Sequence, residues 1–301
     1  MLLLRLFNLN DISFPYAHLA DKRTQKWLLV ESFADVLALV ALYLLLVRYL
    51  PQWMQRRKPL QLRPLLLLYN FLLTLLNAHI FKELLINGVR LKYNFWCQPC
   101  RELYSKEELR IAAAVWWFYV SKLLEFADTI FFILRKKQTQ LTFLHVYHHS
   151  TMFPLWWIAI KWVPTGSTIV PSMINSFIHV IMYSYYGLSA LGPNVQKFLW
   201  WKKYLTTLQL VQFVFGAAWS TQAIARGCDF PAWINYITIL YMATLLFLFG
   251  QFYTPNESAA QCPASKVFPS NVKEPRKPEL KALKNNGDDV GANEVTTMIA
   301  A

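Results

Sequence analysis

The chain has 301 residues, 55% hydrophobic and 16% aromatic, with a formal net charge of +13. That mix is more apolar than an ordinary soluble domain and excludes one as the main body of the protein. The bases are scattered over loops and the tail rather than gathered in a patch. They therefore exclude nucleic acid as the partner and report membrane orientation and attraction to anionic headgroups or substrates.

Residues 1–27 read as a short polar lead, and the opening MLLLRLFNLN is too short to span and lacks a signal-peptide layout. Seven apolar blocks follow near 28–50, 65–87, 111–134, 141–161, 167–187, 204–225 and 232–254. Each reaches the ~20 residues needed to cross a ~30 Å hydrocarbon core. The expected fold is one all-α polytopic membrane domain over 28–254, because helices satisfy their own backbone groups in lipid. Residues 255–301 are rich in Pro, Lys, Asn and Ala, without apolar period, and read as a disordered tail. No internal repeat stands out.

The loops QWMQRRKPLQLR (52–63), RKKQTQ (135–140) and QKFLWWKK (196–203) carry most inter-helix cations and fall on one side, whereas the 88–110 loop offsets its bases with Glu102, Glu107 and Glu108. By this bias the C-terminus is cytosolic and, with seven spans, the N-terminal lead is lumenal. Asn256 in the pattern NES then stays unmodified. Cys97, Cys100 and Cys228 fall in lumenal loops, where a disulfide persists, and Cys262 falls in the reduced tail. A Cys97–Cys228 bridge is expected, with Cys100 as a rival partner and three free thiols as the alternative.

Ionisable groups inside spans are costly and mark interior cavities. In KLLEFADT (122–129), Lys122, Glu125 and Asp128 recur every third residue, with Thr129 beside them, as one helical stripe. A structural ion pair explains that stripe as well as catalysis does. In HVYHH (145–149), His145, His148 and His149 share one face, which suits a metal centre or an imidazole nucleophile and base. In NSFIHVIMYSYYG (175–187), His179 lies one turn from Asn175, while Met182, Tyr183 and Tyr186 at the same spacing also suit packing. In TTLQLVQF (206–213), Thr206, Gln209 and Gln212 form a fourth stripe, which inter-helix hydrogen bonds alone would explain. His79, with Glu83 one turn on, suits a local hydrogen bond, and His18 in the lead needs no role.

At 1.5 Å per residue, these groups all fall roughly 6–18 Å from the cytosolic ends of their helices. Four helices of alternating direction place polar groups in one layer. The expectation is a buried polar chamber open toward the cytosol, with apolar walls continuing toward the lumen. Membrane di-iron oxygenases share the HxxHH box but spread many more histidines over further boxes; this chain has six in all. Glu125 and Asp128 supply carboxylates for a single ion, so a metal-dependent lipid oxygenase is the alternative; a seven-helix receptor or transporter is a weaker one. The favoured reading has no metal and no cofactor. It is acyl transfer with histidine as base, nucleophile or both, because no cysteine falls in any stripe.

KLLEFADT, HVYHH, HVIMYSYY (179–186) and TLQLVQF (207–213) resemble, in order and spacing, the motifs of the ELO family of fatty acid elongases. The resemblance runs from about Tyr69 to the end of the last apolar block, and RIAAAVWWFYVSKLLEF and FLHVYHHSTMFPLWWIAIKWV look like the very-long-chain type. It implies a seven-helix endoplasmic reticulum membrane protein, six or so helices forming a barrel-like bundle around a closed acyl tunnel. The implied reaction condenses a fatty acyl-CoA with malonyl-CoA to 3-oxoacyl-CoA, CO2 and CoA, beside the reductases and dehydratase of the cycle, with a homo-oligomer allowed. The tail departs from the pattern: it ends EVTTMIAA instead of in a lysine-rich retrieval signal.

On this reading Arg135, Lys136, Lys137, Lys202 and Lys203 attract the phosphates of CoA, and Tyr183, Tyr186, Gln209 and Gln212 line the substrate path. His148 is the expected nucleophile, forming an acyl-imidazole, and direct transfer with His148 as base is the competing route. His179 with Asn175 holds the enolate oxygen or the malonyl carboxylate. His145 and His149 set tautomers or relay protons, oriented by Asp128 and Glu125, with Lys122 completing the set.

Overall fold

The computed structural model describes residues 20–253, the side chains of 251–253 excepted. Within them lie eight α-helices, one single α-helical turn and two short 3-10 turns, Gln138–Gln140 and Gly166–Thr168. The α-helical elements are α1 (Phe33–Met54), α2 (Arg63–Arg90), α3 (Lys106–Leu124), α4 (Phe126–Leu134), α5 (Phe143–Trp162), α6 (Ile169–Ala190), the single turn α7 (Pro193–Gln196), α8 (Lys202–Ala225) and α9 (Ala232–Tyr253). Among the described residues α1, α2 and the stretch Ala232–Gly250 of α9 are long and apolar enough to cross a membrane. Their outer faces carry exposed Leu42, Leu45, Leu68, Phe71, Leu240 and Phe247, as lipid contact requires. Helices α3, α5, α6 and α8 carry the polar stripes, which lowers their hydropathy.

Each helix meets specific neighbours. α2 packs on α3 and α6, α6 on α8, α8 on α9, α9 on α5, and α5 on α3, while α1 packs on α4 and α5. The α2–α6 pair is the most extensive, and glycines allow its close approach. Gly187 faces Asn70 at one end, and a Cβ on Gly88 would come within 2.9 Å of Ile169 Cδ1 at the other. The pair is thus antiparallel. Buried Asn70 and Asn77 donate to the Leu66 and Leu73 carbonyls one turn back.

Three local features differ from the sequence expectations. The block expected as one helix over 111–134 is two. The chain bends at Glu125, whose backbone N–H turns back to the Ser121 and Leu123 carbonyls. The block expected from residue 28 begins its helix at Phe33, because residues 21–30 are stitched over the ends of α3 and α5. Thr24 Oγ1 donates to Ile160 O at 2.7 Å, Trp157 Nε1 to Val30 O at 3.1 Å and Tyr119 OH to Leu29 O at 2.9 Å. Glu83 turns to Asn87 at 3.1 Å, and His79 is exposed on the α2 surface. His18, Asn256, Cys262 and the tail lie outside the described residues.

The loops at one end are cinched together. Cys97, in the α2–α3 loop, forms a disulfide with Cys228, in the α8–α9 loop. Trp219 Nε1 donates to Phe95 O at 3.0 Å, and Ser167 N donates to Gln98 O at 2.9 Å. Cys100 carries a free thiol in the same loop. Arg23 is buried there, forking onto Asp21 and donating to Thr165 and the Leu103 carbonyl. The basic loops 55–62 and 135–142 lie at the opposite helix ends.

Candidate active site

The bend at Glu125 places a buried carboxylate where α3, α4 and α6 meet. Lys122 Nζ donates to Glu125 Oε1 at 2.9 Å and to Asn175 Oδ1, on α6, at 3.0 Å. The ammonium also lies 4.4 Å from the centre of the Phe118 ring. A charge pair with side chains only 1% exposed survives desolvation only where its remaining hydrogen-bond positions are filled, and Asn175, Ser121 and the ring fill them here. His179 Nδ1 lies 3.2 Å from Glu125 Oε1. Asn175 Nδ2 donates in turn to Gln212 Oε1 at 3.4 Å. Lys122, Glu125, Asn175, His179 and Gln212 thus form one connected group across three helices.

The histidine box opens α5. Thr142 caps the helix by accepting from His145 N at 3.1 Å, so the helix starts immediately before the imidazoles. His145, His148 and His149 are all buried; the His145 and His149 ring centres are 4.3 Å apart, and those of His148 and His149 5.6 Å. His145 Nε2 pairs with Thr129 Oγ1 at 2.7 Å, and Thr129 pairs with Tyr43 OH of α1 at 3.0 Å. His148 Nδ1 pairs with Tyr241 OH of α9 at 3.4 Å. Asp128 accepts from Tyr183 OH at 2.8 Å. Glu125 accepts from Lys122 with His179 Nδ1 beside it, Asp128 accepts from Tyr183, and Thr129 pairs with His145. Among the described residues no three His, Cys, Asp or Glu side chains converge as metal ligands.

Two cavities lie near this layer, one reaching it at Asp128 and the other at Tyr241. One, of about 420 Å³, lies between α2, α4 and α6 and is lined by Asp128, Arg135, Lys137, Tyr186, Gln196 and Lys202. It joins three of the five expected cations to the polar interior. The other two point away: Lys136 Nζ donates to Gln55 O at 3.2 Å, and Lys203 lies over the exposed Tyr204 ring. The second cavity, of about 120 Å³, is apolar and lies among α5, α6, α8 and α9, with Met152, Trp156, Ile174, Trp219, Tyr241 and Met242 in its wall. Gln212 also faces it, while buried Gln209 lies against Met182 Sδ at 3.7 Å.

Cations, buried imidazoles and an apolar cavity near one another suit a substrate with an anionic head, a reactive centre and a greasy tail. The family model described as "ELO: GNS1/SUR4 family" matches residues 28–261. The chain belongs to the ELO family. It is 46% identical over 278 residues to very long chain fatty acid elongase 4 of Homo sapiens, spanning 92% of this chain and 83% of that protein. It is 47% identical over 258 residues to the Mus musculus protein of the same name, spanning 84% and 83%. It is 42% identical over 278 residues to very long chain fatty acid elongase 5 of Tachysurus fulvidraco, spanning 92% and 91%.

In this ELO chain the structure adds residues that spacing along one helix did not single out. Tyr43, Tyr69, Thr151 and Tyr241 all stand at the site. Tyr69 ring-stacks edge-on to Tyr183, and Tyr241 bonds both His148 and Thr151. Thr151 carries a sequence signal, since it follows His148 by three positions on the same helix. Tyr43 and Tyr241 carry none, because each sits in an otherwise apolar helix and acquires its role only from the neighbour it meets.

Proposed function

We propose that this protein is a membrane-embedded condensing enzyme of fatty acid elongation, joining a long or very-long-chain acyl-CoA to malonyl-CoA. Family membership supports the reaction class. The observation that supports the assignment is the group of buried imidazoles on two helices, near a cation-lined cavity that reaches Asp128 and an apolar cavity that reaches Tyr241. The phosphates of CoA sit by Arg135, Lys137 and Lys202, and the acyl chain runs past His148 into the apolar cavity, where each buried methylene contributes about 0.8 kcal/mol.

His148 Nε2 attacks the thioester carbonyl carbon. The C–S bond breaks, and CoA leaves as a thiolate that takes a proton from water. Malonyl-CoA then loses CO2, and the electron pair of the broken C–C bond becomes an enolate. The enolate carbon attacks the acyl carbon, the C–N bond breaks, and its electron pair returns to Nε2, leaving 3-oxoacyl-CoA. His179, its Nδ1 beside Glu125, presents Nε2 to the enolate oxygen or to the malonyl carboxylate, beside Asn175. Substrates are the two CoA esters, with no metal or other cofactor.

The same reading places seven spans in the endoplasmic reticulum membrane, with α3 and α4 forming one bent span. The packing order α2–α3–α5–α9–α8–α6 returns to α2, which supports a six-helix barrel with α1 against its wall. The cationic cavity faces the cytosol, where CoA esters are found, and the Cys97–Cys228 end faces the oxidising lumen. On this reading the other cycle enzymes and further copies of this chain approach from the cytosolic face and the lipid-exposed wall.

The test is product analysis with purified protein, a panel of acyl-CoAs and labelled malonyl-CoA. Label in 3-oxoacyl-CoA together with CoA release supports the assignment. No labelled product with any acyl-CoA, or activity that follows bound iron and is lost with chelator, overturns it.

A further inference from the structure

We infer that Tyr241 and Thr151 set the tautomer of His148, holding its proton on Nδ1 so that Nε2 is the reacting nitrogen. This rests on the proposed role of His148 as nucleophile and adds which atom reacts and what holds it.

The inference follows from the direction of donation. Thr151 Oγ1 lies 2.6 Å from the Tyr147 carbonyl and 3.3 Å from the His148 carbonyl. A carbonyl oxygen only accepts, so the single Thr151 proton is committed to the backbone of α5. Thr151 Oγ1 also lies 2.9 Å from Tyr241 OH, and with its own proton committed it accepts there. That uses the single Tyr241 proton. The phenolic oxygen then meets His148 Nδ1, at 3.4 Å, as an acceptor, so Nδ1 carries hydrogen and Nε2 carries the lone pair. The chain His148 Nδ1–H, Tyr241 O–H, Thr151 O–H, Tyr147 C=O is polarised in one sense by its terminal carbonyl.

Two consequences follow. Because the chain ends on a carbonyl, it is a clamp and not a proton conduit. The Nδ1 hydrogen stays in place while Nε2 is acylated and then released, and the imidazolium formed on acylation keeps an acceptor for it. Tyr241 also lines the apolar cavity, so the ring that fixes His148 is the one the acyl chain passes. Tyr241 and Thr151 are positioning residues, since they act through His148.

The experiment uses full-length protein and the acyl-CoA that the wild type turns over fastest, without malonyl-CoA. The burst of CoA release is followed in Tyr241→Phe, Thr151→Val, Thr151→Ser and the Tyr241→Phe/Thr151→Val pair. The burst amplitude counts intact sites and stays at the wild-type level, while its rate constant falls about tenfold in Tyr241→Phe and Thr151→Val, the size of one neutral hydrogen bond. Thr151→Ser keeps the wild-type rate. The double variant is no slower than either single one, because both break one chain. Carbethoxylation of His148 by diethylpyrocarbonate, read by peptide mass, slows in the same variants.

Wild-type burst rates and wild-type carbethoxylation in Tyr241→Phe and Thr151→Val overturn the inference. So does a loss confined to burst amplitude, which would make the contacts structural, or multiplicative losses in the double variant. Absence of any burst or histidine adduct in the wild type overturns the nucleophile reading instead. The carbethoxylation rates then still decide the tautomer.

Discussion

Asn175 of α6 accepts a hydrogen bond from Lys122 of α3 at 3.0 Å, and through it the ion pair of one helix is tied to the histidine of another. Lys122 bonds Glu125, Glu125 faces His179, and His179 lies one turn from Asn175 on the same helix. The loop of contacts closes on itself. Lys122 and Glu125 thus form the structural ion pair that stood as one reading of the sequence, and in the proposed mechanism they also orient the site.

Breaking that pair destabilises the fold. Lys122→Met leaves the Glu125 carboxylate buried without its counter-ion, at a cost of about 3–5 kcal/mol. Glu125→Gln in the same background removes the uncompensated charge. The double variant is expected to regain most of the thermal stability in detergent but not the condensing activity. A double variant no more stable than Lys122→Met would show that the charge is not the source of the loss.

The two histidines separate by half-reaction. His148→Ala abolishes CoA release from acyl-CoA alone. His179→Ala keeps that release and lowers 3-oxoacyl-CoA formation by about 10²–10⁴-fold, the range for a lost acid–base or oxyanion group. Single-turnover assays with and without malonyl-CoA check both. Retained CoA release in His148→Ala moves the nucleophile elsewhere.

Cations divide by where they point. Replacing Arg135, Lys137 and Lys202 together by Gln raises KM for acyl-CoA by about tenfold at low salt, since each partly exposed charge contributes little alone. The difference from wild type shrinks as salt is added. Replacing Lys136 and Lys203 leaves KM unchanged, because neither lines the cavity. Equal effects from both sets would place the CoA head outside it.

The loop staple gives a fourth expectation. The Cys97–Cys228 bridge closes 131 residues of chain, and a bond across so long a loop stabilises by about 5 kcal/mol. Cys97→Ser and Cys228→Ser lower the thermal midpoint alike, and adding one to the other changes nothing further. Cys100→Ser matches the wild type. A midpoint that Cys100→Ser lowers as much would point to a different pairing in solution.

What the sequence by itself determined is local. A helical repeat of 3.6 residues puts His145, His148 and His149 on one face and Lys122, Glu125 and Asp128 on another, whatever they pack against. The apolar blocks and the order of the polar stripes along the chain are equally plain in the sequence. Only the tertiary structure decided which atoms meet: Thr129 behind His145, Tyr241 behind His148, Glu125 behind His179, and Lys136 and Lys203 turned from the cavity. It also decided the bend at Glu125 and the packing of residues 21–30 against α3 and α5. Those choices depend on which helices are neighbours and how they are rotated. No periodicity within a single helix encodes that.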